Sequence, residues 1–177
     1  MKIRVTVNTN GYISNQLVMW LLRNNLPFTL FEIKPREASK MACMNDFLQS
    51  NDEWWLLCNN YANPQFSIKD IEFKHLVMSA LMNKNAGNKI ETILGDKNTK
   101  IDDRYIQTNF IPTGFLLLRR DVVESIKDKR PFEYKHDVNG NCIASGDKTL
   151  SDTLIKAGHK LVIDTKLKVL NRQDVFI

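Results

Sequence analysis

The 177 residues carry 25 Lys and Arg against 20 Asp and Glu, with 43% hydrophobic residues and a mean hydropathy of -0.32. Such a balance suits one ordinary domain that buries its own core, and it excludes a bilayer-dominated protein. The net charge of +5 favours anionic partners, yet the lysines are dispersed and no Lys/Arg run is interleaved with aromatics, so nucleic acid is not an expected partner.

The chain opens on Lys2-Ile3-Arg4-Val5-Thr6-Val7, whose alternation is that of a strand and not of a signal peptide's continuous apolar core, so a cytoplasmic location is expected. The longest apolar runs, at 54–58 and 115–118, are far shorter than the roughly 20 residues that span a membrane. The turn-rich Asn8-Thr9-Asn10-Gly11 follows the strand, and Ser14 is placed to cap a helix over 15–25 with Leu17, Trp20 and Leu21 on its apolar side. Past Pro27, residues 28–33 read as a second strand, and Lys34-Pro35-Arg36 leads into a helix over 37–49. Residues 54–58 (Trp54, Trp55, Leu56, Leu57, Cys58) are wholly apolar, the pattern of a central strand covered on both faces.

The order β-α-β-α-β implies an open α/β sheet, whose ligands bind beyond the carboxyl ends of the strands. Residues 8–12 and 59–64 therefore fall where a nucleotide would be met. Downstream, 71–82 reads as a helix containing His75, 83–88 as a loop, 89–94 as a strand and 95–104 as irregular. Residues 115–119 form a buried-strand candidate, and Asp121 is placed to cap a short helix over 122–126. After the turn Asn139-Gly140-Asn141, the triplet Ser145-Gly146-Asp147 starts a helix over 148–157 that Gly158 ends. Short strands are expected at 161–163 and 168–170.

Three cysteines, Cys43, Cys58 and Cys142, have neither CxxC spacing nor a nearby His pair, so neither a zinc site nor a disulfide framework is expected. Trp54 and Trp55 read first as core, with an acceptor-stacking role as the alternative.

The run Pro112-Thr113-Gly114-Phe115 to Val123, then Ser145-Gly146-Asp147-Lys148, then Ala157-Gly158-His159-Lys160-Leu161 and Leu167-Lys168-Val169 resembles the second half of the GT-A glycosyltransferases. The βαβαβ order upstream agrees, and the chain has the size of the minimal members that some viruses encode. The resemblance implies a single-domain GT-A fold: a Rossmann-like mixed open sheet flanked by helices, residues 1–64 its nucleotide-binding half and 65–177 its acceptor-binding half. It implies transfer of a sugar from a nucleotide diphosphate to a hydroxyl of a glycan, protein or lipid head group, with Asp147 at the acceptor-side carboxylate position. Beside a helix N-terminus that carboxylate is held ionised and can take a proton from the acceptor; the bland alternative is that Asp147 only caps the helix.

On the donor side the resemblance points to Thr9, Asn10, Tyr12, Arg36, Lys40, Asn59, Asn60 and Tyr61, and on the acceptor side to Thr113, Gly114 and Gly146. The chain departs from the family at the metal. Where metal-dependent members end the third strand in Asp-x-Asp, this chain has Asn59-Asn60-Tyr61, and the usual third ligand falls on Asn171. Mg²⁺ and Mn²⁺ want anionic oxygens, so a divalent cation is expected to be weakly held or dispensable, with Arg36 and Lys40 as substitutes for its charge. Two other readings follow: a catalytically silent GT-A-like module that binds a sugar nucleotide or a protein partner, and a nucleotidyltransferase, whose chemistry calls for acidic metal ligands absent here.

Overall fold

Strand β1 (Ile3–Asn8) leads through a loop to helix α1 (Asn15–Arg23), then to β2 (Phe28–Phe31), α2 (Arg36–Gln49) and β3 (Trp54–Asn59). These are elements of a computed structural model that describes residues 1–34, 36–86 and 89–171, the side chains of Arg36, of 84–91 and of Asn171 excepted. The chain continues with β4 (Ala62–Pro64), β5 (Val77–Ala86), β6 (Lys89–Thr92), β7 (Asn98–Lys100), β8 (Tyr105–Thr108) and β9 (Phe115–Arg119). Helix α3 (Arg120–Ile126), the hairpin β10 (Lys135–His136) and β11 (Cys142–Ala144), helix α4 (Gly146–Lys156) and β12 (Leu161–Asn171) complete the described order.

The main sheet runs β2-β1-β3-β9-β5-β12-β8-β7, with β4 paired to β12 and β6 to β5. Parallel pairing joins β1 to β2 and β3, with Val5 opposite Phe28 and Leu56. β9 lies antiparallel between β3 and β5, with Leu117 opposite both Leu56 and Met78. β5 and β12 are parallel. One reversed strand thus leaves β1, β2, β3, β5 and β12 pointing the same way, and their carboxyl ends share one edge. This is the mixed, open α/β sheet that the sequence implies.

Two apolar clusters cover the sheet. Alternation sends Trp54, Leu56, Cys58, Phe115 and Leu117 into the cluster with Leu17 and Leu21 of α1. Their neighbours Trp55, Leu57, Leu116 and Leu118 join Met44 and Phe47 of α2, Val122 of α3 and Leu150 and Leu154 of α4. Full burial of each such side chain contributes about 1.5–3 kcal/mol. Both tryptophans are therefore core, and Trp55 Nε1 donates to Thr6 Oγ1 at 2.8 Å. Cys43 and Cys58 are buried too, and burial pushes their thiols up, Cys43 to about 12. His75 packs edge-on against Tyr105.

Several expected elements come out differently. Residues 71–82 are not a helix: β5 begins at Val77 and runs through the expected loop to Ala86. Val77, Met78, Ser79, Ala80 and Met82 are all buried, so the segment is a central strand covered on both faces, which periodicity alone cannot separate from a buried helix. The expected irregular stretch at 95–104 contains β7. The two short strands at 161–163 and 168–170 are one strand, β12, interrupted by a bulge between Asp164 and Lys168. β2 stops at Phe31. Asp121 does not cap α3; Arg119 holds the cap position and binds the Asp121 carboxylate at 2.6 and 2.8 Å.

Candidate active site

Asp147 sits in the first turn of α4, but the capping is done by its neighbour: Ser145 Oγ accepts from Lys148 N at 3.3 Å. The bland reading of Asp147 as the cap therefore fails, and its carboxylate turns inward. Lys40 Nζ of α2 donates to Asp147 Oδ1 at 2.7 Å and to Thr113 Oγ1 at 2.6 Å. The Thr113 hydroxyl donates in turn to Oδ1 at 2.7 Å, and the Thr113 amide to Oδ2 at 3.2 Å. Burial alone would push the Asp147 carboxyl up; the Lys40 charge and the hydrogen bonds from Lys40 and Thr113 outweigh it and hold the group below the ordinary aspartate range.

A cavity of about 160 Å³ opens on this cluster, lined by Asn8 and Asn59 at the ends of β1 and β3, by Lys40 and Asp147, and by Thr113, Tyr134 and Met82 among others. It lies at the carboxyl edge of the sheet, where open α/β folds place their ligands. Asn8 lies in the 8–12 segment expected to meet a nucleotide; Tyr134 and Met82 were invisible to sequence reasoning, because no motif marks them. A wider groove of about 790 Å³ between α1 and β4 contains Trp20, Arg23 and Phe66 but neither Asp147 nor the tip of β3.

The residues expected on the donor side fall into two groups. Thr9, Asn10, Tyr12, Asn60 and Tyr61 come together where the loop after β1 meets the turn after β3. Asn60 Nδ2 donates to Asn10 Oδ1 at 2.8 Å and to the Tyr12 carbonyl at 2.9 Å; Asn10 Nδ2 reaches the Tyr61 hydroxyl at 3.4 Å. The Tyr12 and Tyr61 hydroxyls meet, their rings edge to face at 5.4 Å. Thr9 Oγ1 donates to the Tyr12 carbonyl at 2.6 Å. Asn60 is fully buried, so its amide ties the two loops together rather than facing a ligand. Lys40 is the second group: its ammonium is tied to Asp147 and Thr113 on the other side of the cavity. The Arg36 side chain lies outside the described residues.

On the acceptor side, Thr113 touches Asp147 directly, whereas the two glycines are explained by packing. A Cβ on Gly114 would meet the Met82 side chain, and Gly114 lines the same cavity as Asp147. A Cβ on Gly146 would lie 2.8 Å from the Phe132 carbonyl oxygen, so this position lets α4 start against that backbone.

The donors at the family's metal position do not suit a tightly held dication. Asn59 and Asn60 are neutral, the Tyr61 hydroxyl meets Tyr12, and the Asn171 side chain lies outside the described residues. The buried Asn60 Oδ1, which has no hydrogen-bond partner, could offer one neutral oxygen, but no three His, Cys, Asp or Glu among the described residues group as metal ligands. No helix among the described residues is long and apolar enough to cross a membrane.

No family model and no curated protein matches the sequence. Solved structures do resemble it. The chain is similar to A197 from STIV, with a TM-score of 0.70 at 12% identity over 98% of this chain and 87% of that one. It is also similar to a glycosyltransferase involved in the glycosylation of the major capsid of PBCV-1, with a TM-score of 0.55 at 10% identity over 93% and 83% of the two chains. A third likeness is to the inositol-1-phosphate CTP transferase from T. maritima, with a TM-score of 0.53 at 12% identity over 99% and 90%. The fold is that of the GT-A nucleotide-sugar transferases.

Proposed function

We propose that the protein is a glycosyltransferase that moves a sugar from a nucleotide diphosphate to an acceptor hydroxyl, with Asp147 as general base. The observation that carries this reading is the Asp147 carboxylate, kept ionised inside a cavity that also holds the tips of β1 and β3. The fold is shared by glycosyl- and nucleotidyltransferases, so the site has to decide between them. Nucleotidyl transfer calls for acidic metal ligands, whereas an inverting glycosyl transfer needs one carboxylate beside the acceptor. Among the described residues that line it, the cavity offers one carboxylate, Asp147.

In this mechanism the acceptor hydroxyl passes its proton to Asp147 as its oxygen bonds to the anomeric carbon. The bond from that carbon to the diphosphate breaks, and its electron pair leaves on the phosphate oxygen. The loop at Thr9–Tyr12 and the turn at Asn59–Tyr61 form the donor side, with Asn60 holding them in register. The neutral amides at the tip of β3 do not supply a dication's anionic donors, so we propose transfer with weak or no metal dependence. The chain's Lys and Arg excess supplies the positive field at the leaving phosphate.

A thermal-shift screen of nucleotide diphosphate sugars, with and without Mn²⁺, identifies the donor through stabilisation by mass action. With that donor, Asp147→Asn is expected to lower turnover about 10²–10⁴-fold while donor binding persists. Unchanged turnover in the variant would remove Asp147 from the mechanism.

One observation favours a second reading, a silent sugar-nucleotide-binding module: the tip of β3 carries neutral amides where carboxylates would hold a metal. Calorimetry that finds tight donor binding without product, with and without Mn²⁺, selects it.

A further inference from the structure

Lys40 is the buried group that the proposed chemistry has not yet used. It is 7% exposed, and lysine is almost never buried to that degree unless paired. Every feature of its surroundings addresses the ammonium. Asp147 and Thr113 accept from it, and the Phe132 ring lies 5.8 Å away. The position was read from sequence as a phosphate contact; the geometry ties its charge to the acceptor side of the cavity.

The hydrogen bonds are unequal at the two carboxylate oxygens. Each oxygen can accept about two. Oδ1 accepts from Lys40 Nζ and from the Thr113 hydroxyl, both at 2.7 Å, and is saturated. Oδ2 accepts from the Thr113 amide alone among the described residues, at 3.2 Å. One lone pair of Oδ2 is left. Lys40 and Thr113 also bond each other, so lysine, hydroxyl and Oδ1 form a closed triangle that fixes the carboxylate's rotation about its own axis.

We propose that Lys40 is a positioning residue for the acceptor base: with Thr113 it occupies Oδ1 of Asp147 and leaves Oδ2 as the oxygen that takes the acceptor's proton. The proposal rests on the glycosyltransferase reading of this site. The proton moves from the acceptor oxygen to Oδ2, the freed electron pair forms the bond to the anomeric carbon, and the diphosphate departs with the pair of the bond that breaks. Lys40 keeps its bonds to Asp147 and Thr113 and touches neither substrate. Among the described residues, the other polar side chains lining the cavity are Tyr134 and the neutral Asn8, Asn59 and Ser145; Lys148, next along α4, pairs with Asp152.

Lys40→Met removes the charge at similar length, Lys40→Arg keeps it, and Thr113→Val removes the hydroxyl corner while leaving Lys40 in place. Two measurements read the outcome. One is a ¹³C titration of the Asp147 carboxyl in labelled protein, assigned by its loss in Asp147→Asn. The other is the pH profile of transfer with the donor found by thermal shift. In Lys40→Met the carboxyl should titrate at higher pH than in wild type, and the transfer rate at pH 5 should fall about tenfold more than the rate at pH 8. Thr113→Val should move both in the same direction by less, and Lys40→Arg should restore most of the wild-type profile. Should Lys40→Met fail to fold, Thr113→Val and Lys40→Arg carry the comparison. A wild-type protein that transfers sugar, with a carboxyl titration and acid limb unmoved by these variants, overturns the role of Lys40 and leaves the glycosyltransferase reading standing. A wild type silent with every donor overturns both, even where the titration shows that Lys40 and Asp147 are coupled.

Discussion

Among the described residues, two carboxylate–cation pairs are built to opposite ends. In the first, Asp147 is bonded to Lys40 in the wall of the cavity at the carboxyl edge, its side chain 29% exposed. In the second, Asp164, at the bulge of β12, is fully buried against Arg104, which donates from Nε at 2.8 Å and approaches the same Oδ2 with NH2 at 2.7 Å. Arg104 also reaches Glu72 and the Asp70 carbonyl, and its guanidinium packs 5.3 Å from the Tyr105 ring. Asp164 Oδ1 accepts from the Lys166 amide at 3.0 Å. Each carboxylate thus has one oxygen with two donors and one with a single amide donor, and the difference lies in access: Asp164 has no exposed surface, whereas Asp147 lines a cavity. A buried ion pair is weak evidence for function by itself; access to a cavity is what sets the candidate base apart from a carboxylate that anchors a bulge.

The largest expected effects pull the two pairs apart. Beside the loss of turnover expected of Asp147→Asn, Asp164→Asn should leave the rate per folded molecule within about twofold, since it touches nothing in the cavity. Urea unfolding should show the reverse order. Asp164→Ala strands the Arg104 guanidinium among packed residues, and breaking a buried pair this way costs about 3–5 kcal/mol. Asp147→Asn should cost less, about 1–2 kcal/mol, because water in the cavity can reach the Lys40 ammonium. A rate loss in Asp164→Asn, or a larger stability loss in Asp147→Asn, breaks the comparison.

How much of this was legible in the sequence differs between the two sites. The core strands at 54–58 and 115–119 announce themselves by apolar runs, and the βαβαβ order places the loops at 8–12 and 59–64 on the functional edge. Asp147 was legible because Ser145 and Gly146 mark a helix start. Its partner was not. Lys40 lies 107 positions away on a helix whose polar and apolar faces are weakly separated, and only the packing of α2 beside α4 shows where its ammonium goes. The Arg104 cluster was hidden for a similar reason. Residues 71–82 are apolar enough to read as a helix, which conceals β5, and the β12 bulge that carries Asp164 reads as a gap between two strands.

A smaller effect sharpens the cavity side. Gly146→Ala puts a methyl group 2.8 Å from the Phe132 carbonyl oxygen, a backbone atom that cannot rotate away. Either α4 or the 132–134 segment must shift, at about 1–3 kcal/mol. Gly114→Ala meets only the flexible end of Met82 and should cost less. Because Tyr134 follows Phe132, the Gly146 variant should also weaken turnover, whereas Gly158→Ala, at a left-handed position with open space around it, should touch stability alone.

The smallest expected effect is on the pH dependence of folding. The Asp147 carboxyl lies below its ordinary value in the folded protein, so the unfolded chain binds its proton first as pH falls. Its contribution to stability is fully present above the ordinary aspartate value of about 3.9 and is lost as pH drops through the lower folded value. The stability difference between wild type and Asp147→Asn should therefore be constant from pH 7 to about pH 5 and shrink on further acidification. A difference that grew on acidification would mean that the native carboxyl binds its proton more readily than the unfolded one, so that burial rather than Lys40 governs it. The contrast with the sealed Arg104–Asp164 pair would then have to be redrawn around desolvation.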